Sequence, residues 1–144
     1  MLVKSILSSK DIKDIVTIGP DATLMTAAKL LSEHGIGTVL VSSDQKTPLG
    51  ILSERDIVRQ LSKVGPGCLD QTVETYMTRD LVTCVQDTSV EQALTQMTEG
   101  RFRHMPVVES GELVGIISLG DVVKAQLAEV AMEKSALEGM IMGH

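Results

Sequence analysis

The sequence predicts a mixed α/β (α+β) fold, built from two pseudo-symmetric β-α-β-β-α repeats packed sheet to sheet and followed by an extended C-terminal helix. Three observations lead to this prediction. The 144-residue chain has the length of one compact domain with its own core. Its apolar residues, 43% of the chain, are almost all aliphatic, because aromatic residues make up only 1%. Its two halves also repeat each other in sequence and in hydrophobic spacing.

An internal repeat sets the domain organisation. Positions within residues 15–41 recur 66 residues later, and residues 50–56 recur 65 residues later, because one residue is lost in the intervening loop. We therefore expect one repeat with an N-terminal lead-in over 1–68, a second repeat over 69–128, and a helical extension over 129–144. The lead-in at residues 3–7 is echoed loosely by residues 73–77.

Each repeat is predicted to contain an amphipathic helix after its first strand. Apolar residues fall at i, i+3, i+4 and i+7 from Leu24 in the first copy and from Val90 in the second. This spacing gives one buried helical face in each copy. The predicted N-caps are Thr23 and Ser89, and the predicted C-terminal glycines are Gly35 and Gly100.

Short β-branched runs predict the strands. The first strand of each copy is expected around Thr17-Ile18 and around Thr83-Cys84. The later strands are expected at 38–42 and 49–52 in the first copy, and at 105–108 and 113–117 in the second. A Ser110-Gly111 turn is expected to join the last two strands.

Composition excludes several classes of function. A net charge of −6 and the near absence of aromatic residues argue against a nucleic-acid partner. No apolar stretch approaches the length of a membrane span and no export signal is evident, so we expect a cytoplasmic protein without a membrane partner. Cys68 and Cys84 lack the spacing of a zinc site or a disulfide framework, and no metal is expected.

The end of each copy carries the pattern Gly-x-x-Ser-x-x-Asp, at residues 50–56 and 115–121. Together with the Pro106-Val107-Val108 strand and the Tyr76-Met77-Thr78 lead-in, this pattern resembles a tandem pair of CBS domains, the Bateman module, as found in small stand-alone bacterial CBS-domain proteins. The resemblance covers about nine-tenths of the chain and occurs twice. It implies a regulatory protein that requires no cofactor and binds AMP, ADP, ATP or an NAD-type or S-adenosyl ligand in clefts between the repeats.

The serine and aspartate of this pattern suit such a ligand chemically. Ser53 and Ser118 stand where a strand ends and a helix begins, so a hydroxyl and free backbone N–H groups converge at the positive end of the helix, where phosphate binds well. Asp56 and Asp121, three residues on, are placed to accept the hydroxyls of a ribose. Both residue types are also ordinary helix caps, and this alternative stays open.

Cationic residues distinguish the two copies. Arg101, Arg103 and His104 are candidate phosphate neighbours, because guanidinium groups bind phosphate through two parallel hydrogen bonds. A solvated surface turn is the alternative for this run. The first copy has Gly35, Gly37 and Thr38 at the same places, so we expect its site to bind phosphate more weakly.

The resembled family supplies the rest of the expected adenosyl site. Adenine would be held by apolar contacts and backbone hydrogen bonds rather than by aromatic stacking. Lys10 is a candidate phosphate contact, although an exposed lysine is the simpler interpretation. The further candidates are Thr17, Ile18, Gly37, Thr38 and Arg55 in the first copy, and Thr83, Cys84, Met105, Pro106 and Gly120 in the second.

The last helix carries an apolar stripe longer than the repeat requires. Its members are Val123, Leu127, Val130, Leu137 and Ile141, and their spacing places Lys134 on the same seam. We expect this stripe to meet a partner helix in a homodimer, the alternative being a helix that folds back on its own module. A regulatory module acting on a separate, unidentified protein is favoured over a purely structural dimer. An enzyme has the least support, because no activated nucleophile or acid-base pair stands out and no catalytic residue is predicted.

Overall fold

The fold is mixed α/β, as predicted. A computed structural model describes residues 1–9 and 15–142, and Lys10 lies outside the described residues. In chain order the elements are α1 (Val3–Ser9), β1 (Thr17–Ile18), α2 (Leu24–His34), β2 (Thr38–Val41), β3 (Gly50–Ser53), α3 (Glu54–Val64), a 3-10 turn (Pro66–Asp70), α4 (Val73–Tyr76), α5 (Val90–Gly100), β4 (His104–Glu109), β5 (Glu112–Ser118) and α6 (Leu119–Ile141).

Repeat 1 has the predicted order of elements, β1-α2-β2-β3-α3. Its sheet has the strand order β1-β2-β3, with β1 parallel and β3 antiparallel to β2. Helix α2 begins where predicted, because the Thr23 hydroxyl accepts a hydrogen bond from the Thr26 N–H at 3.2 Å. It ends at Gly35, whose φ of 62° is left-handed and favours glycine.

In repeat 2 the predicted first strand is reduced to one residue. Cys84 forms a single parallel bridge with Val107, in the register that Ile18 and Val41 have in repeat 1. The ladder stops there because the next N–H, that of Val85, donates to the hydroxyl of Thr88 at 3.1 Å and enters a turn. Strands β4 and β5 form a two-stranded sheet around the predicted Ser110-Gly111 turn, where both residues have positive φ.

The expected end of α5 at Gly100 needs a correction. Gly100 is the last helical residue, and Arg101 is the left-handed C-cap, with φ 57°. Arg101 occupies the place that Gly35 has in repeat 1. Gly100 meets a different requirement, because a Cβ there would collide with the ring of Phe102. A steric contact therefore explains this glycine better than the helix end does.

The chain divides into two compact units that do not follow the repeat boundaries. The repeat 1 unit comprises residues 14–82 and 109–114, and the repeat 2 unit comprises residues 1–13, 83–108 and 115–144. The N-terminal lead-in thus belongs with repeat 2. The bounds 1–68, 69–128 and 129–144 remain sequence-based predictions.

Each lead-in precedes one repeat in the sequence and packs on the other repeat, so the two lead-ins are exchanged. The Val3 N–H donates to the Thr88 carbonyl at 2.8 Å, and the Val73 N–H donates to the Ala22 carbonyl at 2.7 Å. Both valine side chains are completely buried. Each repeat therefore completes its aliphatic core with the lead-in of the other.

The first glycine of each Gly-x-x-Ser-x-x-Asp pattern makes room for a lead-in. A Cβ on Gly50 would lie 2.6 Å from the Met77 sulfur and 2.9 Å from the Thr78 carbonyl oxygen. A Cβ on Gly115 would lie 2.5 Å from a methyl carbon of Leu7. Close approach of a packed segment is thus the structural requirement at both glycines.

No helix within the described residues is long and apolar enough to cross a membrane.

Candidate functional site

The Ser-x-x-Asp turn of repeat 1 is a complete capping box at the start of α3. The Ser53 hydroxyl accepts from the Asp56 N–H at 3.2 Å, and the Asp56 carboxylate accepts from the Ser53 N–H at 2.9 Å. Arg59 donates to the second carboxylate oxygen of Asp56 at 3.1 Å. The alternative kept open for these residues, helix capping, is therefore present in the structure.

Repeat 2 reproduces this turn at the start of α6. The Ser118 hydroxyl accepts from the Asp121 N–H at 3.0 Å, and one carboxylate oxygen of Asp121 accepts from the Ser118 N–H at 2.9 Å. Ser118 and Asp121 are both half-buried. The capping box fixes the direction of the Asp121 carboxylate at the positive end of a 23-residue helix.

The residue before β2 lies beside the start of α3, and the residue before β4 lies beside the start of α6. In repeat 1 the Glu54 N–H donates to the Gly37 carbonyl at 2.9 Å, and in repeat 2 the Leu119 N–H donates to the Arg103 carbonyl at 2.8 Å. Thr38 is the cross-strand partner of Ser53. The predicted residues 37, 38, 53 and 56, which are distant in sequence, are therefore neighbours in the repeat 1 unit. Arg103, Ser118 and Asp121 are brought together in the same way in the repeat 2 unit.

Some of the backbone groups that were predicted to contact adenine already form hydrogen bonds between strands. Cys84 donates its N–H to the Pro106 carbonyl at 3.0 Å and accepts from the Val108 N–H at 2.9 Å. Ile18 accepts from the Ser42 N–H at 2.9 Å in the same pattern. Because successive residues of a strand direct their polar groups to opposite sides, Thr17 directs its backbone groups away from β2. Thr17 is thus a better candidate than Ile18 for backbone contacts to a ligand, and Thr83 remains the corresponding prediction in repeat 2.

The remaining predicted residues differ in exposure. Ile18, Cys84, Met105 and Pro106 are buried, so their side chains belong to the core. Arg55 is exposed in the first turn of α3, Arg101 is exposed at the end of α5, and Arg103 is exposed just before β4. Gly120 is exposed in the first turn of α6, and His104 is half-buried at the start of β4.

The two copies differ in the charged residues around the helix start. Arg101 and Arg103 give the repeat 2 unit two guanidinium groups at positions occupied by Gly35 and Gly37 in the repeat 1 unit. Glu54 was not among the predicted residues, although its carboxylate oxygen lies 3.4 Å from where a Cβ of Gly37 would stand. Its position inside the Ser-x-x-Asp turn was the signal available in the sequence. The start of α3 therefore carries an acidic group where α6 has Leu119.

A model of the CBS domain matches residues 3–63 and 73–128. The chain belongs to the CBS-domain family. It is 44% identical to a CBS-domain containing protein from Agrobacterium tumefaciens, with a TM-score of 0.82 over 88% of this chain and 99% of that one.

Two further solved structures contain adenosyl ligands. A CBS domain protein from Pyrobaculum aerophilum, complexed with AMP, is 26% identical, with a TM-score of 0.78 over 92% of this chain and 99% of that one. A CBS domain pair in complex with 5′-methylthioadenosine and S-adenosyl-L-methionine is 27% identical, with a TM-score of 0.77 over 90% of this chain and 98% of that one. The chain spans 68%, 62% and 59% of the lengths of the first three curated relatives that it matches.

Proposed function

We propose that this CBS-domain protein is a regulatory module that binds an adenosyl ligand, such as AMP, ADP, ATP or an NAD-type nucleotide, and catalyses no reaction on it. The observation that carries the proposal is the start of α6, where the Asp121 carboxylate, the positive N-terminal end of the helix and the backbone of Arg103 share one location. The carboxylate suits a ribose, and the helix end with its guanidinium suits a phosphate. The AMP and S-adenosylmethionine complexes of related CBS proteins support the same ligand class.

The ligand acts, in this proposal, by changing the geometry of a homodimer that contacts a separate protein. A ligand shifts a conformational equilibrium only if it binds one state more tightly than the other. Light scattering coupled to gel filtration should give twice the monomer mass, and truncation after Gln126 should lower it. A monomer at tens of micromolar, with and without AMP, would contradict this part of the proposal.

Calorimetry on Asp121→Ala tests the ligand site. We expect AMP affinity to fall about 10- to 100-fold, since hydrogen bonds to a charged group contribute roughly 1.5–3 kcal/mol. Because Asp121 also caps α6, 2′,3′-dideoxy-AMP is the matched control. A variant that loses contacts to ribose hydroxyls loses the preference for AMP over the dideoxy ligand, whereas a merely structural defect weakens both ligands equally.

The charge difference between the copies gives a second test. Two affinities for AMP are expected, and Arg103→Ala should weaken the tighter one and reduce its salt dependence. Equal affinities with equal salt dependence would contradict the assignment.

A structural dimerisation module is the second candidate, because the two capping boxes account for Ser53, Asp56, Ser118 and Asp121 without any ligand. Mass spectrometry of small molecules released from the gently denatured protein distinguishes the two functions. An adenosyl compound in the released fraction supports the regulatory module. Absence of any such compound, together with no heat on titration with AMP or S-adenosylmethionine, supports the structural one.

A further inference from the structure

A groove of about 480 Å³ lies between α2 and α3, within the repeat 1 unit. Its lining is mostly apolar, and Glu54 at the start of α3 is its one charged residue. The side chains that form it include Ala28, Leu31, Ile36, Glu54, Ile57 and Val58.

The groove depends on residues particular to repeat 1. The positions of Ala28, Ile36 and Glu54 correspond in repeat 2 to Leu94, Phe102 and Leu119. The first two are larger, and the third is apolar. Three of the residues that line the repeat 1 groove, including its one charged residue, are therefore not repeated in the second copy.

Glu54 and Val58 of the groove are exposed within this chain, whereas Leu31 and Ile57 at its base are buried. Val58 exposes 63% of its surface although it lies on an amphipathic helix. The Glu54 carboxylate makes no ion pair or hydrogen bond among the described residues. An uncovered apolar surface beside an unpaired carboxylate suits a partner that brings apolar side chains and one cation.

Helix α6 of the same chain has these properties. It is 23 residues long against 11 for α3, its counterpart in repeat 1. Its stripe is exposed in the described structure, at 66% for Leu127 and 59% for Leu137. Lys134 interrupts the stripe, and its contact with Glu138 is long, 3.9 Å between exposed groups, which contributes little.

We propose that α6 of a second copy of this chain docks in the groove, with its stripe against the apolar wall and Lys134 paired with Glu54. The stripe from Leu127 to Ile141 spans roughly 21 Å and α3 roughly 16 Å, so the two surfaces are comparable in length. A lysine within an apolar seam is costly unless it meets an acid, which makes the pair a determinant of register and partner. The inference rests on the dimer of the proposed function and adds the surfaces that form it.

Charge reversal tests this pairing in the full chain by sedimentation equilibrium. Glu54→Lys and Lys134→Glu should each raise the dimer dissociation constant about tenfold or more, because each places like charges together. The double variant restores the opposite pair and should return the constant to within about threefold of wild type. Glu33→Lys on α2 and Lys124→Glu on α6 are matched reversals outside the groove and off the stripe, and should leave it unchanged.

Val58→Glu tests the groove at a residue that lies beyond the first turn of α3, so its effect on the dimer does not depend on the capping of that helix. Val58 is exposed, so the variant should fold normally while its carboxylate enters the apolar groove and weakens the dimer. AMP affinity, measured in parallel, should change little in Lys134→Glu, because Lys134 lies outside the candidate ligand site.

Two results would overturn the inference. A wild-type dimer that is unaffected by Glu54→Lys and Val58→Glu, or a double variant without rescue, would show that α6 pairs elsewhere and would leave the proposed ligand binding intact. A wild-type monomer would remove the dimer of the proposed function as well.

Discussion

Arg101 holds a backbone conformation that repeat 1 reaches with a glycine. Its φ of 57° places a side chain in the left-handed region, where a residue with a Cβ is disfavoured by about 1 kcal/mol or more. Strain of this kind is often retained where the side chain has a function. The exposed guanidinium of Arg101, two residues before Arg103, is consistent with such a role in anion binding.

Replacing Arg101 by glycine should therefore separate stability from binding. We expect Arg101→Gly to raise the melting temperature by a few degrees, because the strain is relieved, and to weaken AMP binding several-fold, because a cation is lost. Thermal unfolding and calorimetry measure the two effects. Arg101→Ala is the control, since it removes the cation and keeps the strain. A glycine variant that binds AMP as wild type does would exclude Arg101 from the site.

Asp44 gives a pH-dependent contribution to stability. The N–H groups of Thr47 and Lys46 donate to its carboxylate at 2.7 and 2.9 Å, with further bonds from the Ser42 and Thr47 hydroxyls. These bonds, that from Thr47 first, hold the pKa of Asp44 well below its usual 3.8. A lowered carboxyl pKa stabilises the fold above the pKa of the unfolded chain, and this contribution declines as the pH falls below 3.8.

We accordingly expect Asp44→Asn to lower the melting temperature at pH 7 and the difference from wild type to shrink as the pH falls below 3.8. Scanning calorimetry of both proteins between pH 7 and pH 2.5 measures this. A difference that stays constant over that range would show that the loop bonds do not favour the ionised form.

At the scale of elements, local chemistry predicted most of the fold. The caps Thr23 and Ser89 and the Ser110-Gly111 turn are confirmed, because each is fixed by the residues at the position itself. The length of the first strand of repeat 2 was overestimated, because a side chain in the following turn ends its hydrogen-bond ladder. The capping box at Ser118 shows why the site was harder. The residues that suit a ligand also satisfy the helix, and sequence cannot separate the two roles.

The exchange of the lead-ins could not be predicted from local sequence patterns either. Sequence showed that residues 3–7 and 73–77 echo each other, but which repeat each one packs on depends on contacts between residues far apart in the chain. Val3 meets Thr88, whereas Val73 meets Ala22. Gly50 and Gly115 were the available signal, because a glycine within a strand often marks a close approach.

Gly50→Ala tests the close approach of α4 to β3. The added methyl group meets both a sulfur and a backbone oxygen, so the backbone must move, and we expect a loss of about 1–3 kcal/mol in unfolding free energy. Gly67→Ala is the matched control, since nothing lies within 4 Å of a Cβ there. Urea denaturation compares the variants. Equal stability for the two would indicate that Met77 and Thr78 yield without cost.

At the scale of the whole molecule, the exchange predicts which unit responds to a core mutation. Val3→Ala removes two buried methyl groups from the repeat 2 unit, at a cost of about 2 kcal/mol. Amide hydrogen exchange should therefore accelerate in α5 and α6 and much less in α2 and α3. Val73→Ala, the equivalent change in the other lead-in, should give the opposite pattern. Acceleration of the same helices by both variants would mean that the units do not open separately.

The exchanged lead-ins also predict the order in which the two units fold during synthesis. The core of the repeat 1 unit is drawn from residues 16–77, a continuous stretch that can close as soon as it has left the ribosome. Helix α1 cannot complete its core so early, because the buried residues that share this core run from Cys84 to Val122. At about 5–20 residues per second, Val3 and Ile6 wait roughly 6–24 s for that residue to be made. We therefore expect the repeat 1 unit to fold first, and α1 to remain without its core neighbours until the repeat 2 unit folds.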